Sequence, residues 1–232
     1  MERDSAFPAG TFLHYLPAAD RERLLALGAE ARYPAGRTLI RQGERHGPVF
    51  VLLSGVTKVT AQVENGSEAL LAVRVGGDVV GDMAPLTDSP RSASVVTCGE
   101  CRVSVVRAPV FLDFVARSGP AGLAMTQFVV ERLRWANQRR IDLAGYEAAI
   151  CLARLLLTLS ERHGRTTPDG LDIGVPLTQA ELGTLIGVRE ATVHKTLRDL
   201  ERRGLVRRGL KRVLIMDLPG LITYAEMTDE PG

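Results

Sequence analysis

Between about residue 30 and residue 107 the chain alternates short apolar runs with glycine-bearing breaks. The runs are Thr38-Leu39-Ile40, Val49-Phe50-Val51-Leu52-Leu53, Val56-Thr57-Lys58-Val59, Ala69-Leu70-Leu71-Ala72-Val73, Ser94-Val95-Val96 and Arg102-Val103-Ser104-Val105-Val106; the breaks are Gly36, Gly43, Ser54-Gly55, Asn65-Gly66 and Gly76-Gly77. Short runs at this spacing predict strands, and a series of them predicts a small β-barrel or jelly roll. Asn65-Gly66 between two apolar runs predicts a hairpin, since both residues tolerate the positive φ of a tight turn. After Pro109 the period changes. Met125, Val129, Leu133, Ala136 and Leu143 recur at helical steps, with Arg140 interrupting and Arg132, Arg134 and Arg139 flanking, which predicts one long amphipathic helix from Gly119 to about Tyr146. A single apolar seam of that length, with few neighbouring helices, is read as a dimer interface.

A further helix is predicted from Glu147 to about Arg162, then a loop through Thr167-Pro168-Asp169-Gly170. Thr178-Gln179-Ala180-Glu181 has the form of a capping box, the Thr hydroxyl taking the amide of Glu181 and the Glu carboxylate returning to the amide of Thr178. The helix it opens stops at Gly187. A second runs from about Arg189 to Arg203, with Val193, Leu197 and Leu200 inward and Gly204 closing it. Leu205-Val206-Arg207-Arg208 and Val213-Leu214-Ile215-Met216 read as two strands around Gly209. Helix, glycine turn, helix and basic hairpin make a winged helix-turn-helix. The expected class is α+β: a β-roll at 1–117, a dimerisation helix at 118–146 and the winged helix-turn-helix at 147–232.

With 232 residues, 45% apolar and 24% charged, the chain can bury a core, so a disordered or fibrous protein is excluded. No apolar run reaches the ~18 residues of a membrane span, and Met1-Glu2-Arg3-Asp4 does not read as a signal segment, so a cytoplasmic protein without membrane partners is expected. Three cysteines do not suggest a disulfide framework. The net charge of +2 decides little, but residues 189–212 hold nine Lys/Arg against three acids, a local +6. A helix of this kind offers its first side chains to the major groove, and the cations along it and on the wing neutralise phosphates. The alternative for the helix alone is a solvated charged face.

The stretch from Gly76-Gly77-Asp78 to Arg91-Ser92-Ala93 combines a glycine turn, a carboxylate and an Arg-Ser pair, groups that could hold a phosphate and a sugar hydroxyl. Asp82-Met83 stands where a nucleotide triphosphate loop needs Lys and Ser or Thr, so a kinase or ATPase reading fails. On chemistry alone Arg91 is equally a surface arginine. Cys98-Gly99-Glu100-Cys101 has redox or metal spacing but lies between strand-like runs with no second pair, and reads as structural with no metal. His14, His46 and His163 occupy loop or element-end positions and read as solvated; His194 lies on the second helix, where it can face DNA. No catalytic group emerges, and the chain is not expected to be an enzyme.

These residues, with Tyr33-Pro34-Ala35-Gly36, Gln42-Gly43 and Leu53-Ser54-Gly55-Val56-Thr57-Lys58-Val59, resemble the family of the cyclic-AMP receptor protein and the fumarate-nitrate regulator over nearly the whole chain. The stretch Gly81 to Ala93 is similar to that family's phosphate-binding cassette. The resemblance implies that Arg91 and Ser92 bind a cyclic phosphate, that Asp82, following Gly81, stands at the family's ribose-binding glutamate but is one methylene shorter, that Met83 is among the effector-binding residues, and that Ala136 and Asn137 stand where polar residues contact the base. The implied effector is cAMP or another cyclic nucleotide, bound more weakly if Asp82 fails to reach. No cysteine cluster precedes Cys98, so iron–sulfur oxygen sensing is not expected.

The resemblance also implies a homodimer on double-stranded DNA with an inverted-repeat operator, and RNA polymerase as a candidate partner. The residues expected at DNA are Thr178, Gln179, Arg189, Glu190, Ala191, Thr192, His194, Lys195, Arg198, Arg202, Arg207, Arg208 and Lys211; those expected between protomers are Met125, Val129, Leu133, Ala136 and Leu143. Family recognition helices commonly begin Ser-Arg-Glu-Thr-Val. Here Arg189, Glu190 and Ala191 precede Thr192-Val193, so a guanine-reading arginine is replaced by Glu190. The rivals are the same fold with nucleotide sensing lost, a cyclic-nucleotide-regulated enzyme subunit, for which no catalytic module is left over, and a thiol oxidoreductase at Cys98 and Cys101, which lacks the strand–CxxC–helix context.

Overall fold

The computed structural model describes residues 7–64 and 66–227. Two compact units result, the first ending at Arg134 and the second beginning at Trp135. The long helix is therefore not a unit of its own: the boundary falls within it.

In the first unit the apolar runs, rich in β-branched residues, become strands; the central strand Val49–Ser54 is buried at four successive positions, Val49 to Leu52, and so on both faces, while the strand Cys101–Val106 exposes Arg102 between buried Cys101 and Val103. One sheet has the order β1-β8-β3-β6, with β1 Ala29–Tyr33, β3 Val49–Ser54, β6 Val79–Val80 and β8 Cys101–Val106. The other has the order β2-β7-β4-β5, with β2 Thr38–Ile40, β4 Val56–Gln62, β5 Glu68–Val75 and β7 Ser94–Thr97. All neighbouring strands are antiparallel. Asn65 of the expected hairpin lies outside the described residues; the strands on either side of it, β4 and β5, pair from Val56↔Val75 to Gln62↔Glu68.

The helices α1 Phe12–Tyr15, α2 Ala18–Ala26, α4 Ala108–Arg117 and α5 Gly119–Gly145 follow the strands or precede them, and a short α3, Met83–Thr87, lies inside the cassette. Phe12, Phe111 and Phe128 meet in one core, ring centroids 6.1 and 5.9 Å apart, and Met125 is packed among them at 6% exposure. This corrects the assignment of Met125 to a dimer seam. The amino-terminal half of α5 carries two apolar stripes, not one: Ala121, Ala124, Met125 and Phe128 face the core, while Leu123, Val129, Val130 and Leu133 are exposed.

In the second unit α6 Ala148–His163 is buried around most of its circumference, with Ile150, Cys151, Leu152 and Ala153 buried in succession, and a sheet of order β11-β12-β10-β9 follows. The strands β9 Arg165–Thr167 and β10 Gly170–Asp172 occupy the stretch expected to be a loop, with Pro168-Asp169 as their turn. The helix pair is α7 Gln179–Leu185 and α8 Glu190–Arg202, and the wing is β11 Val206–Gly209 with β12 Arg212–Ile215. The wing turns at Leu210-Lys211, not at Gly209, which belongs to β11; Lys211 takes the positive φ of +53°. A last helix, α9 Leu218–Glu226, is capped by Asp217, whose carboxylate accepts from the Gly220 amide at 3.0 Å. Among the described residues no helix is long and apolar enough to cross a membrane.

Candidate functional site

The cassette closes around a glycine. Gly81 adopts φ +83°, and a Cβ there would stand 2.8 Å from Arg91 Nη1 and 3.1 Å from the Pro48 carbonyl oxygen, so no other residue fits without displacing the arginine. Arg91 is only 5% exposed, contrary to a surface arginine; its Nη2 donates to Pro48 O at 2.9 Å and its Nη1 to Gly81 O. Burial pushes its guanidinium below the ordinary value, with Glu44 and Asp82 opposing. Asp82, 2% exposed, accepts from Arg132 Nη1 at 2.9 Å, and Arg132 Nη2 donates to Val79 O. Arg132 also stacks on Phe128, its Cζ 3.9 Å from the ring centroid. Met83 and Ser92 are exposed.

Gly81, Asp82, Met83, Arg91 and Ser92 line one cavity of about 80 Å³, together with Ile40, Val59, Arg74, Val95 and Arg132. The Nε atoms of Arg91 and Arg132 are both buried without a hydrogen-bond partner. Buried donors are ordinarily satisfied, so two orphaned guanidinium N–H groups beside one cavity suit an anion with several acceptor oxygens. Three arginines against one carboxylate point the same way. Sequence reasoning missed Arg74 and Arg132; Arg132 stood in view only as a flank of the helical stripe. Ala136 and Asn137 lie on the half of α5 that belongs to the second unit, and both are exposed.

In the second unit the capping box forms: Thr178 Oγ1 accepts from the Glu181 amide at 3.1 Å, and Glu181 Oε2 accepts from the Thr178 amide at 2.7 Å. Gly187, at φ +65°, makes the turn into α8. Val193, Thr196, Leu197 and Leu200 are buried, which leaves Glu190, Ala191, Thr192, His194, Lys195 and Arg198 on the outer face. Arg189 is the N-cap of α8 and makes no side-chain cap bond, as befits an arginine at a position that favours serine.

The basic cluster is less bare than its composition. Arg202 pairs with Asp199, Arg208 with Glu201 at 2.7 Å, and Arg207 with Asp169 at 3.6 Å. Arg212 pairs with Asp172. The Arg208 amide and guanidinium hold the Glu201 carboxyl below its usual range. Two of these acids, Asp169 and Asp172, lie outside the 189–212 segment and offset its charge. Arg202, Arg207 and Arg208 are thus engaged guanidiniums, not free ones, while Lys195, Arg198 and Lys211 remain exposed.

On the trailing half of α5, Arg139 stacks on Trp135 at 4.5 Å, and its Nη2 and Nε donate to Leu185 O at 2.6 and 3.0 Å, so it satisfies a carbonyl at the end of α7. Cys98, Cys101 and Cys151 form no disulfide among the described residues; Cys101 is buried, its Sγ donates to Val56 O at 3.4 Å, and burial pushes its thiol up. His14, half-buried edge-on to Tyr15, and half-buried His163 are not solvated as expected. No group of three or more His, Cys, Asp or Glu among the described residues could hold a metal.

Residues 30–118 match the cyclic nucleotide-binding domain and residues 152–224 the Crp-like helix-turn-helix domain. The chain is 29% identical over 185 residues to the CRP-like cAMP-activated global transcriptional regulator of Mycobacterium tuberculosis strain H37Rv, covering 80% of this chain and 83% of that protein. It is 26% identical to the cAMP-activated global transcriptional regulator CRP of Salmonella typhimurium, over 79% and 88% of the two chains. Among solved structures, a CRP-family transcriptional regulator of Thermus thermophilus superposes with a TM-score of 0.72 at 21% identity, covering 87% of this chain and all of that one. With a cyclic nucleotide-binding domain and a Crp-like helix-turn-helix in that order on one chain, this protein belongs to the CRP/FNR family of DNA-binding transcription regulators.

Proposed function

We propose that the protein is a homodimeric transcription regulator whose affinity for DNA is set by a cyclic nucleotide in the β-roll. Residues 1–117 bind the effector, 118–146 dimerise, and 147–232 bind an inverted-repeat operator. The observation that carries this reading is the cassette cavity with its two orphaned guanidinium donors. The cyclic phosphate sits on Arg91 and Ser92, and the ribose hydroxyls face Asp82. The relatives named above are cAMP-activated, which makes cAMP the first effector to test. The cavity of about 80 Å³ is smaller than the ~300 Å³ at which ligand pockets begin. Nucleotide entry therefore widens it, and a ligand that binds the widened form more tightly shifts the equilibrium by that difference in affinity. RNA polymerase is the partner through which a bound regulator would act.

The dimer rests on the exposed stripe of Leu123, Val129, Val130 and Leu133, continued by Ala136, Ile141 and Leu143; Leu133 is 57% exposed. Leu133→Asp is expected to convert a dimer to monomers in sedimentation without unfolding the first unit, because the side chain lies outside that unit's core. A monomeric mass for the wild type rejects the dimer.

DNA specificity follows from α8. Glu190 accepts from cytosine N4 but offers guanine nothing, and a wrong base costs about 1–3 kcal/mol per contact. Selection from a random duplex library is expected to return a palindrome with half-sites about one helical turn apart and a sequence other than TGTGA. Enrichment of TGTGA would overturn the role given to Glu190; absence of any palindrome would overturn the two-fold arrangement.

A further inference from the structure

A second cleft lies behind the cassette, on the other side of α3 from the effector cavity. It measures about 500 Å³, within the range of about 300–1,000 Å³ common for ligand sites, and so stands open without rearrangement. α3, which packs against α4, is the partition: Met83 lines the effector cavity, Pro85 and Asp88 line the cleft, and Ala84 and Arg91 line both. The remaining walls are the loop Arg45-His46-Gly47-Pro48 and the start of α4, with Arg107, Pro109 and Leu112.

Charge in this cleft is one-sided. Arg45, His46 and Arg107 are exposed and make no ion pair among the described residues, and Asp88 is the one acid in the lining. Glu44, the neighbour of Arg45, is turned to the Arg41 amide, from which its Oε2 accepts at 3.3 Å. The 10-residue α4 begins with Arg107 as N-cap, without a side-chain cap bond and without an acid in its first turn, so none of its own side chains offsets the positive end of its dipole. Anions bind at helix ends of this kind. The buried member of the site is Arg91, 5% exposed: its Nη1 donates to Gly81 O on the effector side, its Nη2 to Pro48 O on the cleft side at 2.9 Å, and its Nε has no partner. Gly47, at φ +138°, leaves the Nη2 edge uncrowded, for a Cβ there would stand 3.2 Å from it. One guanidinium is thus the common wall of two sites.

We propose that this cleft binds a phosphate monoester, its phosphate on Arg45, His46 and Arg107 and its apolar body on Pro85 and Leu112, and that it opposes effector binding through Arg91. Two anions that share one cation each find it already neutralised by the other, and they repel across it. The coupling is therefore negative, and as a coupling of affinities it is reciprocal. It rests on the cyclic-nucleotide reading of the cassette; the phosphate site does not.

The test is calorimetric titration of the full-length protein with phenyl phosphate and with inorganic phosphate. Phenyl phosphate is expected to bind about tenfold more tightly, by burial of its ring. Arg107→Ala is expected to weaken its binding by about tenfold or more, since a charge-assisted hydrogen bond is worth about one to two decades. The same variant, titrated with cAMP in the absence of phosphate, should match the wild type. Saturating phenyl phosphate is expected to raise the apparent Kd of the wild type for cAMP by about fivefold or more and then reach a plateau, the mark of two sites rather than one. No heat with phenyl phosphate at millimolar concentration overturns the inference, as does a rise without plateau that Arg107→Ala leaves unchanged, because the phosphate then occupies the effector cavity itself. Equal affinity for the two probes overturns the ester in favour of free phosphate, and Arg107-dependent binding with no effect on cAMP overturns the coupling through Arg91. Arg107-dependent binding in a protein that gives no heat with cAMP or cGMP leaves the second site standing and overturns the cyclic-nucleotide reading, and the coupling with it.

Discussion

Arg132→Ala is expected to destabilise the first unit by about 3–5 kcal/mol, because it leaves the Asp82 carboxylate buried without its counter-charge. Asp82 and Arg132 are 3% and 17% exposed at their side chains, so solvent replaces little of what is lost. The guanidinium also stacks on Phe128 and donates to Val79 O, and both contacts go with it. Hydrogen exchange of the β3 and β6 amides measures the effect within the unit concerned. Asp82→Asn in the same background removes the stranded charge and is expected to recover a large part of the loss. If the double variant is no more stable than Arg132→Ala alone, the ion pair is not what holds the cassette, and the stacking on Phe128 takes its place.

Arg91→Ala is expected to abolish measurable cyclic-nucleotide binding. Two charge-assisted hydrogen bonds to a phosphate, at about 1.5–3 kcal/mol each, amount to roughly two to four decades in affinity. The substitution also strands the carbonyls of Pro48 and Gly81, which Arg91 now satisfies. Arg91→Lys separates the two effects, since it retains charge but loses the bidentate fork. Asp82→Glu, one methylene longer, is expected to retain or strengthen binding. Calorimetric titration with cAMP and cGMP reads all of these. Wild-type protein giving no heat with either nucleotide at millimolar concentration would sink the effector assignment and favour a chain in which nucleotide sensing has been lost.

What could be read from the sequence was local. The capping box, the Gly187 turn and the strands of the β-roll each depend on residues a few positions apart, where propensity and periodicity act. β1 escaped because Ala29-Glu30-Ala31-Arg32-Tyr33 carries charges on its outer face, among them Glu30, which pairs with Arg102 across the ladder. β6 is two residues long and has no period to show. In α5 the error at Met125 came from following one helical stripe where the sequence supports two, and Phe128, three residues on, marks the inner one. The electrostatics of both sites were hidden for a different reason. Arg132 lies 50 residues from Asp82, and Arg207 and Arg212 lie 38 and 40 residues from Asp169 and Asp172. A charge count along a segment has no access to partners that only the fold delivers.

Arg139 gives the second unit a mechanical property. Its half-buried guanidinium, stacked on Trp135, ties the trailing half of α5 to the Leu185 carbonyl at the end of α7, and α7 is joined to α8 by a turn of a few residues. A rotation of the end of α5 is therefore expected to be passed to the helix pair through this short crank. Severing that crank, as Arg139→Ala would, leaves α8 intact but lets its heading drift relative to α5. In the proposed dimer the spacing of the two α8 helices is then expected to cease to be a single distance and become a distribution.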